Sequence, residues 1–195
     1  MDNLAYKDDY RICEMIDGVI VMMSPRPAVE HSTVSLNIAA IFKNYLRGKT
    51  CRAFNDGIAV FLDDKNYYVP DAMIVCDRSK IKHDGIHGAP DLVVEVLSRG
   101  TYRNDRGRKK DIYEKAGVKE YWIVDVKNRI VEVYLNSENG FYLDDAYEYH
   151  TPAELEADSK LDKDDPRKLD KIDTEIKVSL YDDLIVYLAD VFEDV

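Results

Sequence analysis

The sequence predicts an α/β protein with a mixed central β-sheet that is flanked by helices and preceded by an N-terminal β-hairpin. Helices are predicted over 30–47 and 104–116, and five strand-like apolar runs lie between and after them. This order of elements is typical of a mixed sheet covered by helices. A chain of 195 residues, 46% of them apolar, is long enough to bury one sizeable core, so we expect a single domain over 1–195.

The N-terminal half begins with the hairpin, which is predicted over 10–23 because Asp17 and Gly18 separate two apolar runs. In the first helix the apolar residues recur every three or four positions, and Gly48 is expected to end it. The next elements are a strand, a turn, a strand and a polar loop: 51–62, 63–66, 67–76 and 77–89.

The C-terminal half continues with a strand over 91–98 and the second helix, for which Asn104 is the expected N-cap and Gly117 the expected stop. A further hairpin is predicted over 120–135. The core is therefore expected over about 10–135, with 136–195 as an acidic C-terminal extension packing on it. The extension is predicted to contain a helix or mobile insert, a strand and an apolar docking segment: 152–169, 175–178 and 184–191.

Composition excludes several classes of protein. The N-terminus lacks the basic start and apolar core of a signal peptide, and no apolar run approaches the roughly 20 residues that cross a bilayer. Cys13, Cys51 and Cys76 show no CxxC spacing, so we expect reduced cysteines and neither a zinc site nor a disulfide framework. These features predict a cytoplasmic protein with no membrane partner.

Charge is divided unevenly along the chain. The net charge is −11, but residues 136–195 hold six Lys and Arg against 18 Asp and Glu, so the rest of the chain is close to neutral. A basic cluster follows the strand over 91–98. Such a cluster is either the solvent-exposed start of a helix or a site that binds nucleic-acid phosphates. The proposed nucleic-acid-binding residues are Arg99, Arg103, Arg106, Arg108 and Lys110.

Two carboxylates in apolar strand-like runs are the candidate catalytic acids. Asp71 stands at the head of one run, and Glu95 lies in the middle of the strand over 91–98. A lone buried Glu is costly unless a cation or hydrogen-bond donors compensate it. Because strand residues two apart share a face, Glu95 points with Val93 and away from Leu92, Val94 and Val96.

Lys109 is the third candidate catalytic residue. Asp105, Lys109 and Tyr113 are four residues apart and share one helix face, from which Lys109 can reach toward Glu95. Two acids and a lysine suit a divalent cation, Mg²⁺ or Mn²⁺, and an attacked phosphodiester. The expected metal-binding groups are Asp71, Glu95 and the Val96 carbonyl. Glu14, His31, Asp105 and Tyr113 are expected to support them.

Other interpretations of the same residues remain open at this point. Asp71 can be an ordinary strand-start residue, Glu95 can lie on an exposed edge, and Lys109 can pair with Asp105 on the surface. Two carboxylates also suit a glycosidase, although the sequence shows no aromatic platform for a sugar. Spacing alone does not decide between these interpretations.

The chain resembles the Uma family, a bacterial group described as restriction endonucleases within the PD-(D/E)XK nuclease superfamily. The matching stretches include MSP at 23–25 with His31, and the longest block runs from 88 to 125. The others are EMIDG at 14–18, VPDAMIVCD at 69–77, GAPDLVVEVLS at 88–98, DRGRK at 105–109 and YEKAGVKEYWIVD at 113–125.

The resemblance implies a restriction-endonuclease-like core, Mg²⁺-dependent cleavage of DNA and a homodimer. It assigns metal binding to Asp71 and Glu95. The superfamily pattern places a lysine two residues after the glutamate, where this chain has Leu97. The resemblance therefore assigns the lysine role to Lys109 on the following helix. The alternative is a catalytically inactive relative that uses the same fold to bind nucleic acid or protein.

Overall fold

The chain forms two larger β-sheets, a two-stranded sheet and five α-helices within the residues that the computed structural model describes, 13–22, 27–98, 100 and 102–195. The strands are β1 (Cys13–Ile16), β2 (Val19–Met22), β3 (Arg52–Asn55), β4 (Val60–Asp63), β5 (Asn66–Tyr68), β6 (Ala72–Val75), β7 (Ile86–His87), β8 (Leu92–Val96), β9 (Glu120–Asp125), β10 (Ile130–Ser137), β11 (Gly140–Glu148), β12 (Glu175–Lys177) and β13 (Ile185–Tyr187). The helices are α1 (Val29–Tyr45), α2 (Tyr102–Asp105), α3 (Arg108–Ala116), α4 (Pro152–Ser159) and α5 (Leu188–Val191).

The six-stranded sheet is mixed, which confirms the predicted fold class. Its strand order is β11-β10-β9-β8-β6-β3, and β8 and β9 are its parallel pair. The five-stranded sheet has the order β2-β1-β5-β4-β7 and begins with the predicted hairpin, β1 and β2, across Asp17 and Gly18. The outer positions of that hairpin prediction, 10–12 and 23, lie outside the described residues.

The predicted strands over 51–62 and 67–76 are each two strands, because the chain crosses twice between the sheets. β3 and β6 belong to the six-stranded sheet, whereas β4 and β5 belong to the five-stranded one. The first crossing contains Gly57 at a φ of +84°, which suits glycine, and the second contains Pro70, which has no N–H for a strand ladder. Asp71 therefore lies where the chain enters the six-stranded sheet.

The two faces of the six-stranded sheet are covered differently. Leu92, Val94 and Val96 pack with α1 and the C-terminal extension, including Ile176 and Val186. The opposite face, which carries Val93 and Glu95, packs against α3 and the five-stranded sheet. The predicted alternation along β8 is observed, and the predicted docking segment over 184–191 lies against the α1 face.

The second predicted helix is interrupted, so the prediction of Asn104 as its N-cap was wrong. Asn104 lies inside α2, and α3 begins at Arg108 after Gly107. Glycine loses the most backbone entropy in a helix, which favours a break there. Gly117, at a φ of +90°, ends α3 as predicted. β11 was missed because its outward-facing polar residues hide the strand alternation.

Cys51 and Cys76 form a disulfide, which corrects the prediction of reduced cysteines. The two residues directly flank the paired ends of β3 and β6, where Arg52 pairs with Val75. Antiparallel pairing thus brings together two cysteines that are 25 positions apart in the sequence. Cys13 is buried and carries a free thiol, as predicted.

Reduction of this disulfide is expected to destabilise the fold. A disulfide removes chain entropy from the unfolded state, so its loss should lower the free energy of unfolding by about 3 kcal/mol. Urea unfolding with and without dithiothreitol measures the effect. The double variant Cys51→Ser with Cys76→Ser is the control, because its stability should not respond to the reductant. An identical response of both proteins would contradict the prediction.

Glu120 fastens the C-terminal extension to the six-stranded sheet. Its carboxylate accepts hydrogen bonds from Trp122 Nε1 at 2.6 Å and from the Ser179 backbone N and Oγ at 2.8 and 2.5 Å. Burial raises the pKa of Glu120, and these three donors oppose the rise. A carboxylate with three donors and no exposed surface is thus a specific anchor for 179 and its neighbours.

Glu120→Gln is expected to lower the free energy of unfolding by about 1–3 kcal/mol, because a Gln amide N cannot accept a bond from the donor it would face. Urea unfolding measures this change. Glu156→Gln is the control, since Glu156 pairs with Lys160 on an exposed surface. Equal stability of the Glu120 variant and the wild type would show that the anchor contributes little.

Candidate active site

Glu95 and Lys109 meet in the interior, between β8 and α3. Lys109 Nζ lies 3.3 Å from Glu95 Oε1, and the Tyr113 hydroxyl donates to the same oxygen at 3.0 Å. β8 is flanked by β6 and β9, so Glu95 is on a central strand and not on an exposed edge. Glu95 and Lys109 are each only 3% exposed. The helical spacing of Lys109 and Tyr113 therefore delivers both groups to one carboxylate, as predicted.

Two further carboxylates surround the Lys109 ammonium. Glu14 Oε1, from β1, lies 2.8 Å from Nζ, and Asp105 Oδ1, from α2, lies 3.4 Å from it. The interpretation of Lys109 as a surface partner of Asp105 is thus wrong, since both residues are buried. Three carboxylates face one ammonium, so the cluster carries excess negative charge when all its members are ionised.

Burial sets the direction of the pKa shifts in this cluster, and neighbouring charges modify it. Burial raises the pKa of Glu95 well above its ordinary value, Lys109 lowers it, and Asp105, Asp71 and Glu14 raise it further. For Lys109, burial opposes the charged form, but Glu95 and Glu14 outweigh it and raise the pKa. Lys109 therefore stays protonated, while Glu95 needs a further cation or a proton to offset its charge.

Asp71 lies at the N-terminal end of β6, close to the end of β8. Its Oδ2 accepts a hydrogen bond from the Val96 backbone N at 2.7 Å and lies 3.6 Å from His31 Nε2 on α1. Ser35, one helical turn after His31, donates its hydroxyl to the Asp71 carbonyl at 3.0 Å. Burial raises the pKa of Asp71 to about 6, although His31 and the Val96 N–H act in the opposite direction.

The donor set of these residues fits a hard divalent cation. The side-chain contacts described above involve Asp71 Oδ2 and Glu95 Oε1. The second oxygen of each carboxylate, Asp71 Oδ1 and Glu95 Oε2, takes no part in these contacts. Within the described part of the chain, no three Asp, Glu, His or Cys side chains are grouped so that they could hold a metal ion. Mg²⁺ needs fewer protein ligands, since it usually keeps several waters beside one or two carboxylates.

A cleft of about 140 Å³ lies beside the two residues of α1 that contact Asp71. It is lined by His31, Ser32, Ser35, Leu36, Asn55 and Asp56. His31 and Ser35 are the lining residues that also contact Asp71, and the sequence analysis did not select Ser35. Its position four residues after His31 on a helix is the signal that would have identified it.

The structure separates the predicted basic cluster into different environments. Arg106 is paired with Glu132 at 2.6 Å, and Lys110 lies over the Tyr134 ring at 3.6 Å, so both contact β10. Arg103 is exposed, and Arg108 is 3.5 Å from Asp17 on the hairpin with 65% of its side chain exposed. Arg99 lies outside the described residues. Among the described members of the cluster, Arg103 and Arg108 are therefore the ones most accessible to a phosphate.

A family model supplies the identification. The model described as "Uma2: Putative restriction endonuclease" matches residues 3–161 of this chain. The chain belongs to the Uma2 family. The resemblance carried by the sequence motifs is thereby confirmed, and membership of this family supports a nuclease-like function. The match spans both acids, Lys109 and both larger sheets, and it ends shortly after α4.

Two known proteins are similar to this Uma2 member. An uncharacterized protein of Synechocystis sp. (strain ATCC 27184 / PCC 6803 / Kazusa) is 30% identical over 132 residues, which is 67% of this chain and 69% of the relative. A crystal structure described as a putative nuclease belonging to DUF820, from Anabaena variabilis ATCC 29413, has a TM-score of 0.66. It is 19% identical, with 92% of this chain and 89% of the other covered, and so it shows a common fold.

In the described ranges of this Uma2 member, no helix is both long and apolar enough to cross a membrane.

Proposed function

We propose that the protein is a metal-dependent DNA endonuclease that hydrolyses phosphodiester bonds. The observation that carries this proposal is the buried contact between Glu95, on the central strand β8, and Lys109 of α3. Asp71 is held close to this pair, because its side chain accepts a hydrogen bond from the backbone N–H of Val96, the residue after Glu95. A buried carboxylate with excess negative charge around it, beside a second acid at a cleft, is what a divalent cation would compensate.

Asp71 and Glu95 would hold Mg²⁺, or Mn²⁺, with the Val96 carbonyl as the proposed third protein ligand. A cation held there would supply Lewis-acid chemistry toward a phosphate. Lys109 remains charged and places an N–H donor beside Glu95, where it offsets negative charge that grows in the transition state. Tyr113 fixes Glu95 Oε1, and His31 orients Asp71 Oδ2.

The substrate is proposed to be DNA, held by the exposed arginines Arg103 and Arg108 and by Arg99. We further propose a homodimer, because one active site cuts one strand of a duplex and two such sites can cut both. The Cys51–Cys76 disulfide removes the reduced-cysteine ground on which a cytoplasmic location was predicted.

Residues 176–192 of the extension pack on the α1 face of the six-stranded sheet, whereas Phe141 of β11 packs with Tyr113 and Tyr121 on the face that carries Glu95. The described carboxylate contacts of Lys109 are to Glu14, Glu95 and Asp105, and none of these residues belongs to the extension.

Cleavage of supercoiled plasmid with Mg²⁺, Mn²⁺ or EDTA tests the proposal. Nicking that requires a divalent cation is the expected result. Absence of cleavage, together with DNA binding that weakens as salt rises, would favour the alternative of an inactive nuclease fold that binds nucleic acid. Absence of both cleavage and DNA binding would indicate a protein-interaction module.

A further inference from the structure

We infer that Glu14 of the N-terminal hairpin is a positioning residue that sets the places of Lys109 and Asp71 at the same time. This inference rests on the proposed nuclease function and extends it to a residue from the other sheet. One oxygen, Glu14 Oε1, lies 2.8 Å from Lys109 Nζ and accepts the Val69 backbone N–H at 3.1 Å. The proposed catalytic lysine and the segment that carries Asp71 thus share a single carboxylate oxygen.

The position of Glu14 explains how it reaches both groups. β1 is antiparallel to β5, with Met15 opposite Tyr67, so Glu14 lies next to the point where β5 ends and the chain turns through Val69 and Pro70. Asp71 follows directly and enters the six-stranded sheet. Since only 5% of Glu14 is exposed, its charge is directed at these partners and not at solvent.

Lys109 needs such a residue because it comes from a helix. A lysine on β8 itself would be oriented by the strand, whereas Lys109 crosses from α3 on a flexible four-carbon side chain. Of the three carboxylates that contact Lys109 Nζ, Glu14 is the nearest, at 2.8 Å, against 3.3 Å for Glu95 and 3.4 Å for Asp105. Without Glu14, the ammonium would keep only its two longer carboxylate contacts, to Glu95 and Asp105.

The test compares Glu14→Gln and Glu14→Ala with the wild type. Glu14→Gln keeps an acceptor for the Val69 N–H but removes the charge that faces Lys109, whereas Glu14→Ala removes both. We expect kcat for plasmid cleavage to fall about 10- to 100-fold in Glu14→Gln, with KM for DNA changed by less than about threefold. Glu120→Gln is the matched control, because it removes a buried carboxylate from the opposite face and should keep kcat at temperatures where it is folded.

Two measurements do not depend on cleavage. In Glu14→Gln, Mn²⁺ binding by calorimetry without DNA should stay within about threefold of the wild type, because Gln keeps an acceptor for the Val69 N–H and so keeps Asp71 in place. Glu14→Ala removes that acceptor and should bind Mn²⁺ more weakly. Acylation of Lys109, followed by mass spectrometry, should be faster in both Glu14 variants than in Glu120→Gln. Slower cleavage with Mn²⁺ binding weakened equally in Glu14→Gln and Glu14→Ala would make Glu14 a metal ligand and overturn the inference.

Outcomes for the two proposals are separable. A wild type that does not cleave DNA contradicts the nuclease proposal, while the acylation of Lys109 still reports whether Glu14 holds it. Unchanged acylation and unchanged kcat in Glu14→Gln would show that Glu14 does not position the lysine. If Glu14→Ala is unfolded by circular dichroism, Glu14→Gln alone decides, since it conserves the volume of the side chain.

Discussion

Glu95→Gln is expected to reduce metal-dependent DNA cleavage by at least about 100-fold, the usual cost of removing one charged or donor group from a preorganised site. Gln keeps the size of the side chain and an acceptor oxygen for Tyr113 and Lys109, but it removes the negative charge that would hold a cation. Because Glu95 lies on a central strand and is only 3% exposed, water cannot take over its role as a ligand of the cation. The measurement is single-turnover cleavage of supercoiled plasmid in Mg²⁺ and in Mn²⁺.

Interpretation of that result depends on a folded variant and a clean preparation. Glu120→Gln, purified in parallel, is the control for loss of a buried carboxylate, and it should still cleave. Circular dichroism should show the same secondary structure for both variants. Equal cleavage by Glu95→Gln and the wild type would place the activity elsewhere or in a contaminant, and it would remove Glu95 from the mechanism.

Lys109→Met is expected to lower the free energy of unfolding by about 3–5 kcal/mol at neutral pH, because it leaves carboxylates buried without their cation. In the wild type Lys109 Nζ contacts Glu14, Glu95 and Asp105 within 3.4 Å. Urea unfolding of the two proteins measures the difference. Lys119→Met is the matched control, since Lys119 pairs with Asp91 while 65% of its side chain is exposed, and it should cost less than about 1 kcal/mol.

The cost of Lys109→Met should decrease as the pH falls from 8 toward 5. Burial raises the pKa of Glu95, and loss of Lys109 removes the neighbour that lowers it. A carboxyl group with a raised folded-state pKa contributes its stability below its unfolded pKa of about 4.3, and that contribution is lost as the pH rises through the folded pKa. An equal cost of Lys109→Met at pH 8 and at pH 5 would contradict a raised pKa for the buried Glu95 carboxyl group.

Much of the α/β architecture and part of the site were predictable from local pattern. The apolar alternation along 91–98 placed Glu95 on one face, and the four-residue spacing of Asp105, Lys109 and Tyr113 placed them on one helix face. The spacing of Lys109 and Tyr113 lies within α3, whereas Asp105 belongs to α2 and comes within 3.4 Å of Lys109 Nζ across the break at Gly107. The sequence allowed a turn at Gly57, but the crossings between two sheets at Gly57 and Pro70 were not predicted, since apolar residues continue on both sides of each.

The sequence by itself determined the acids, the lysine and the strand and helix that carry them, because period and residue chemistry are local properties. Only the tertiary structure decided which distant groups meet. Glu14 of the five-stranded sheet contacts Lys109 of α3, Val96 binds Asp71 through its backbone N–H, and Cys51 bonds to Cys76. These contacts follow from strand order and register, which depend on how the whole chain buries its apolar faces and which no short stretch of sequence contains.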